Sequence, residues 1–462
     1  MDLSRRSFLK SSGALTWGAI TATLFTPVLF RRNLYAGNDN NNRRVIVIFQ
    51  RGGNDGLNTV IPRGDAEYNA NNRPTLFIPD NLAIDSGNGF AQFHPALQPM
   101  MEVYNHTSIN GQAGLGNLAV IHRVGYSGQS RSHFDSQFYW ENGTPGNDEL
   151  TEGSFYRHLD RTVNLADINN SFVAAALSSS QILALKGPKP IPNFTRASSY
   201  NLTGGTATAT RFLGKVPGSP GSPNGTGLLG IYGSAHDQQD KIYRSLVHDT
   251  GKLMGATIDT LQAAVAQGAY TPENGAVYPN TTLGQRLTEA AMLLKRTTVK
   301  VLAVDIGGWD THTGQGQVTG SHAGLLGQVA NSFQALSRDL QSMWNDVLIV
   351  TNTEFGRTSQ ENGSRGTDHA EACVVFAAGG CVNGGVYNCD STTWDTSGVS
   401  PMFQKSGRYL SRRTDYRAVM GEVFTRFLGD SNGLLNEIIP GYDAAAAANP
   451  SDFAPLNYIR TS

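Results

Sequence analysis

Asp310 and His312 stand one residue apart in Gly308-Trp309-Asp310-Thr311-His312, directly after the apolar run Val301-Leu302-Ala303-Val304-Asp305-Ile306. The run predicts a buried parallel strand, and the glycines predict a loop. A carboxylate and an imidazole placed there can both turn toward the open end of a sheet and hold a divalent metal ion. Ligands and catalysis concentrate at the carboxyl ends of strands in α/β folds. Four other places carry the same kinds of residue. Asp55 follows Val45-Ile46-Val47-Ile48-Phe49 across a Gly-rich turn, and Ser132 and His133 stand where a helix opens. Glu354 follows Val350-Thr351-Asn352-Thr353, and Asp368 and His369 precede the run that begins near Ala372.

Carboxylates and imidazoles gathered from several strand ends can bind metal ions that polarise a phosphoryl or sulfuryl oxygen. Ser132, at a helix N-terminus, is a candidate nucleophile or anion holder, and His133 a candidate for proton transfer. Arg51, Arg131 and Arg357 neighbour these motifs and can each grip a tetrahedral anion with two N–H groups. Each residue also has a plain structural reading. Asn54-Asp55-Gly56 can be turn chemistry, Ser132 an N-cap, His133 a capping or core histidine, and the arginines partners of nearby carboxylates.

The elements that must position these groups read as alternating strands and helices. Strands are expected at 45–49, 118–121, 172–177, 301–306, 346–351 and 372–378. A helix is expected to start after Ser132 and to stop at Asn142-Gly143. Leu287, Ala291 and Leu294 mark one helical stripe. Leu325, Val329, Phe333, Leu336, Leu340 and Met343 mark another, expected over 322–344. Thr414 and Asp415 open a last helix, stopped by Gly429. This order predicts an α/β fold with a central, mostly parallel sheet and crossover helices. Residues 179–235 include a Gly-, Ser-, Thr- and Pro-rich stretch and read as a loop-rich insertion, and 431–462 as a C-terminal tail. There is no G-x-S-x-G nucleophile elbow.

Ser4-Arg5-Arg6-Ser7-Phe8-Leu9-Lys10 has the form of a twin-arginine export signal, followed by an apolar stretch to Phe30. Residues 1–36 are therefore expected to engage the twin-arginine export machinery and deliver the protein to the periplasm or beyond. Membrane anchoring is expected only if the signal is retained. The whole chain has net charge −1. Removing 1–36 takes away five basic side chains and one acidic one and leaves −5. No basic patch of the size nucleic-acid binding needs is present, so no nucleic-acid partner is expected. Cys373 lies in an apolar run, whereas Cys381 and Cys389 could close a small loop in an oxidising compartment.

Several segments resemble the uncharacterised, twin-arginine-exported family DUF1501. They are Val-Ile-Val-Ile-Phe-Gln-Arg-Gly-Gly-Asn-Asp-Gly-Leu-Asn-Thr-Val-Ile-Pro (45–62), Arg-Ser-His-Phe-Asp-Ser-Gln (131–137), Gly-Trp-Asp-Thr-His (308–312), Thr-Glu-Phe-Gly-Arg-Thr (353–358), Gly-Thr-Asp-His (366–369) and Asp-Tyr-Arg-Ala-Val (415–419). The resemblance runs from about residue 43 to 429. That family is grouped with the alkaline phosphatase and sulfatase superfamily. The resemblance thus implies an alkaline-phosphatase-like domain over 43–430, with helices on both faces of the sheet and a metal-dependent hydrolase site at its carboxyl edge. Carried over by motif, Asp55, Asp310, His312, Glu354 and His369 would hold metal, with Asp368 beside His369 and Ser132 as nucleophile.

The chain departs from the superfamily at two of these motifs. Its middle pair is D-x-H where the phosphatases have D-x-x-x-H, and Glu354-Phe355 stands where they have Asp-His. No C-x-P-x-R run surrounds Ser132, which argues against a formylglycine sulfatase. These departures argue against a two-zinc constellation; one divalent ion (zinc, calcium, magnesium or manganese), or a pair with carboxylate-biased ligands such as calcium, magnesium or manganese, fits these residue types. The expected function is hydrolysis of a small-molecule or polymer-borne phosphate or sulfate ester. The alternative is a non-catalytic binding or accessory protein that keeps the fold.

Overall fold

A computed structural model describes residues 42–105, 114–200 and 242–460. The export segment at 1–36 and the insertion from 201 to 235 lie outside the described residues. Eight strands form the main sheet: β1 (Arg44–Gln50), β2 (Leu118–Gly125), β3 (Ala174–Ala176), β4 (Val301–Ile306), β5 (Val347–Asn352), β6 (Cys373–Ala378), β7 (Gly385–Tyr387) and β8 (Thr414–Asp415). Their spatial order is β7-β2-β6-β5-β1-β4-β3, with β8 also beside β2. Every pairing is parallel except the two made by β6, which runs against both β2 and β5. The expected mostly parallel sheet is present.

Six helices bear on the argument: α1 (His133–Asn142), α2 (Ser154–Thr162), α3 (Ile242–Ala266), α4 (Thr282–Arg296), α5 (Ser321–Asp339) and α6 (Tyr416–Glu422). The alternation of side chains along β1 shows why the sheet needs helices on both faces. Ile46 and Ile48 enter one core with Leu287 and Leu294 of α4 and Val329, Phe333 and Leu336 of α5. Val45, Val47 and Phe49 enter the opposite core with Trp140 of α1, Phe155 and Leu159 of α2 and Val419 and Met420 of α6. Each such side chain stabilises the fold by about 1.5–3 kcal/mol when fully buried.

The helix expected over 322–344 ends earlier, at Asp339, and a 3-10 segment, Gln341–Asp346, carries the chain to β5. The apolar stripe reads across the break because Leu340 and Trp344 stay buried on both sides of it. Residues 431–460 lie partly against the molecule. Ile438, Tyr458 and Ile459 are buried, and Ile459 bridges to Val382. Of the insertion, residues 179–200 turn back along β3, where Ala176 donates its N–H to Pro192 O at 2.9 Å. Cys373, Cys381 and Cys389 are all free thiols, so the small loop is not closed by a disulfide. Among the described residues, no helix is long and apolar enough to cross a membrane.

Candidate metal centre

Three loops at the carboxyl edge of the sheet meet the loop that precedes β6. Because β6 is antiparallel, its beginning lies on the edge where its neighbours end, and this brings His369 beside Asp310. The connection from β5 to β6 continues the ladder beyond the strands. Ala370 N donates to Gly356 O at 2.9 Å and Thr358 N to Asp368 O at 2.9 Å. On the β4 side, Trp309 is fully buried and anchors the loop one residue before Asp310. Gly52, at φ +123°, packs so closely that a Cβ there would lie 2.4 Å from Asp310 N. Gly366 approaches the His312 backbone equally closely, with a virtual Cβ 2.4 Å from His312 O. Both contacts fix backbone against backbone and so fix where Asp310 and His312 emerge.

His133 opens α1. The expected N-cap is present: Ser132 Oγ accepts from Asp135 N at 3.4 Å, and Gly143 ends the helix in a left-handed conformation. His133 Nε2 lies 3.4 Å from Asp310 Oδ2. His369 Nε2 lies 3.1 Å from Asp310 Oδ1, as does His312 Nε2. Nε2 of His312 is 2.9 Å from Nε2 of His369. One ligand atom from each of His133, Asp310 and His369 falls within 4.8 Å of the others, and His312 adds its nitrogen from the Asp310 and His369 side.

The far nitrogen of each ring settles what faces the centre. His133 Nδ1 meets Glu354 Oε1 at 2.8 Å, His312 Nδ1 meets Asp368 Oδ1 at 3.0 Å, and His369 Nδ1 meets Arg131 O at 2.8 Å. A carbonyl accepts only, as does an ionised carboxylate, so Nδ1 carries a proton, and Nε2 is the nitrogen left to ligate an ion when the ring is neutral. In that neutral form three Nε2 lone pairs and a carboxylate face one another. A carboxylate or carbonyl behind each ligating imidazole is the usual support in metal sites. Four ligands about 2.0–2.2 Å from a tetrahedral ion stand roughly 3.3–3.6 Å apart, and cis ligands of an octahedral one about 3.0 Å. The observed 2.9–3.4 Å separations match ligand edges of that size.

Charge at the centre is set by its surroundings. Burial pushes the Asp310 carboxyl up, but Arg357, His369 and His312 outweigh it and hold the group at about 2. The bond to Glu354, then the charges of Glu354 and Asp310, raise the His133 imidazole above its ordinary value against the effect of burial. Burial lowers His369. The Asn362 amide, then His312 and Arg408, hold Asp368 below the usual carboxylate range. Asp310 remains 45% exposed, so the centre opens to solvent.

The other residues singled out from the sequence take these places. Asp55 is not in the cluster. It is fully buried, with Arg73 Nη1 at 2.7 Å on Oδ2, Arg73 Nη2 at 3.2 Å on Oδ1 and Gln315 Nε2 at 2.6 Å on Oδ2. Both carboxylate oxygens are spent inside the protein. Glu354 and Asp368 do not face the centre; they hold His133 and His312. Glu354 Oε1 is itself held by Gly52 N at 2.7 Å and Gln137 Nε2 at 3.0 Å. His133 faces the centre as a would-be ligand. Ser132 serves as the helix cap. Arg357 is fully buried among the carbonyls of Gly52, Gly53, Trp309 and Thr367, with one bond of 2.5 Å to Asp310, and cannot reach a substrate. Arg51 is bound by Glu141 at 3.0 Å and Asp305 at 3.1 Å. Arg131 alone of the three is both exposed and beside the centre.

Sequence reasoning missed Gln137, Arg73 and Arg408. Gln137 lies four residues after His133, a helical spacing that puts both on one face. Arg73 sits in an Asn-rich loop with no pattern to mark it.

The model of the DUF1501 family, described as a protein of unknown function, matches residues 234–401. That stretch contains Asp310, His312, Glu354, Asp368 and His369 and leaves out His133. No curated protein matches the chain.

Proposed function

We propose that the chain is an exported, metal-dependent hydrolase of phosphate or sulfate esters with an alkaline-phosphatase-like fold. His133, Asp310 and His369 hold one divalent ion, with His312 at its flank. The observation that carries the reading is the convergence of three imidazole Nε2 atoms on the Asp310 carboxylate, each ring held from behind at Nδ1 by an acceptor. A nitrogen-rich set of this kind favours zinc or a similar borderline metal over calcium or magnesium. The burial of Asp55 with Arg73 removes a carboxylate from any second ion.

A bound ion would supply Lewis acidity toward an ester oxygen and a lowered pKa for water beside it. Glu354 and Asp368 keep two imidazoles in one tautomer, and Arg357 keeps Asp310 ionised. Ser132 stays the candidate nucleophile because its hydroxyl makes only a long cap bond, at 3.4 Å, and the next residue turns its ring to the centre. The twin-arginine motif supports delivery to the periplasm or beyond. A second reading, a binding or accessory protein that keeps the fold, is favoured by the loss of Asp55 from the site.

Elemental analysis of protein purified without chelator, beside an Asp310→Ala/His369→Ala variant, tests the centre. Metal in the parent and none in the folded variant supports the reading; no metal in the parent, even after soaking, ends it. Ser132→Ala then separates the two functions. Turnover of aryl phosphate or sulfate that vanishes with metal retained supports a serine nucleophile. A metal-loaded parent without turnover on either ester supports the accessory role.

A further inference from the structure

The side chains around the opening carry an arrangement that the metal ligands do not use. The Tyr409 ring is flanked by two guanidinium groups, Arg131 with its central carbon 4.7 Å from the ring centroid and Arg408 at 5.7 Å. Both arginines are exposed, at 44% and 53%. Arg131 is linked to an imidazole of the centre directly, and Arg408 through one carboxylate. The Arg131 carbonyl accepts from His369 Nδ1, and Arg408 Nη2 donates at 2.8 Å to Asp368, the carboxylate that holds His312. Arg131 is tied by one loose contact, 3.5 Å from Glu371. A guanidinium has five N–H donors, so most of both forks remain for a ligand.

Two like charges beside one half-buried ring repel each other; Glu371 and Asp368 offset part of that repulsion, and a further anion offsets more. Arg51 and Arg357 are already committed to protein acceptors and cannot compete for it. The turn that presents Arg408 is braced by the Lys405–Tyr409 bridge, where Tyr409 N donates to Lys405 O at 2.9 Å, so the ring is a fixed platform.

We infer that Arg131 and Arg408, both beside the Tyr409 ring, form a clamp for the dianionic phosphate of a phosphomonoester and discriminate against the singly charged sulfate of a sulfate ester. The clamp deepens the hydrolase reading and relies on it for the fate of the ester, but not for binding. Planar forks match phosphate oxygens in pairs, and two cations match two negative charges.

The test is titration calorimetry on the full chain, loaded with zinc, using phenyl phosphate and phenyl sulfate at pH 8. The parent, Arg131→Gln, Arg408→Gln and Arg408→Lys are compared, with unfolding temperature and zinc content read on the same samples. Loss of one charge-assisted fork is expected to weaken phenyl phosphate by about tenfold or more. Phenyl sulfate should change less, so the preference for phosphate shrinks, and Arg408→Lys should fall between. Arg131→Gln touches no imidazole through its side chain and decides the matter if Arg408→Gln sheds zinc. An unchanged phosphate preference in folded, zinc-bearing Arg131→Gln overturns the clamp, as does a parent that binds neither probe. A parent that takes up no zinc, yet prefers phosphate and loses that preference in the variants, upholds the clamp while ending the hydrolase reading.

Discussion

The Nε2 atoms of His312 and His369 face each other at 2.9 Å while the Nδ1 of each ring is already committed to an acceptor. Two lone pairs at that distance repel unless a cation or a proton lies between them. The polypeptide holds them there through Asp368, the Arg131 carbonyl and the close approach of Gly366, so the fold itself sets the demand for a cation or a proton at that point. His369→Ala should therefore take the protein from about one bound ion to none. Elemental analysis of the folded variant checks this, and full retention of metal would remove His369 from the ligand set.

Glu354→Gln should act differently. The carboxylate touches His133 from behind, so the variant should keep its metal at saturation but bind it roughly 10–100-fold more weakly. Competition with a chromogenic chelator measures the change. Equal affinity in parent and variant would mean that Gly52 N and Gln137 need Glu354 only for packing.

Asp55→Ala should cost stability and leave the centre alone. It strands Arg73, which is fully buried, without its charge partner. Breaking one side of a buried pair typically costs about 3–5 kcal/mol. Urea unfolding should show that loss, and metal per folded molecule should stay at the parent value. A stable variant without metal would return Asp55 to the site.

Stability should fall on acidification from about pH 6.5 through pH 3. Burial, then Arg123, lowers His122 to about 3, and burial lowers His322 to about 3 against the pull of Asp55. In both cases the folded chain refuses a proton that the unfolded chain accepts below about 6.5. Each histidine's contribution is complete above that value and is lost at roughly 1.4 kcal/mol per pH unit as pH drops toward its folded pKa. His122→Gln should flatten the fall by one such contribution when urea midpoints at pH 7, 5.5 and 4 are compared. Parallel curves would show that His122 is protonated in the native state.

Gly52→Ala should displace Asp310 rather than merely loosen a turn. The added carbon meets the Asp310 backbone at 2.4 Å, and φ +123° is unfavourable for any side chain. Strain of this kind costs on the order of 1–3 kcal/mol. Reduced metal affinity together with a lower unfolding midpoint is the expected pair of results; an unchanged affinity would mean that the β4 loop positions Asp310 unaided.

The strands and helices were largely legible because apolar runs and helical stripes report burial directly, as in 45–49 and 325–336. Ser132 as a cap and Gly143 as a stop were legible because capping chemistry is local. The direction of β6 was not, since a run such as Cys373–Ala378 reads the same whichever way it lies in the sheet. Asp310, His312 and His369 could be found from their types and strand-end positions. Whether a carboxylate faces the centre, supports an imidazole or turns inward depends on partners far away in sequence. Arg73 decided this for Asp55, and His133 decided it for Glu354.

The reversed strand has a consequence for how the centre comes into being. Among the described strands, β6 is the seam that joins β7, β2 and β8 to β5, β1, β4 and β3. His133 belongs to one side of that seam, Asp310 to the other, and His369 to the thread that closes it. No fragment lacking any one of the three contributes the full ligand set. Under the proposed reading, an ion held by all three would report that the two halves have been stitched together in the right register. A chain exported already folded, as proposed, would have that ligand set assembled before it leaves, whereas one threaded through in extended form would not have it until it arrived.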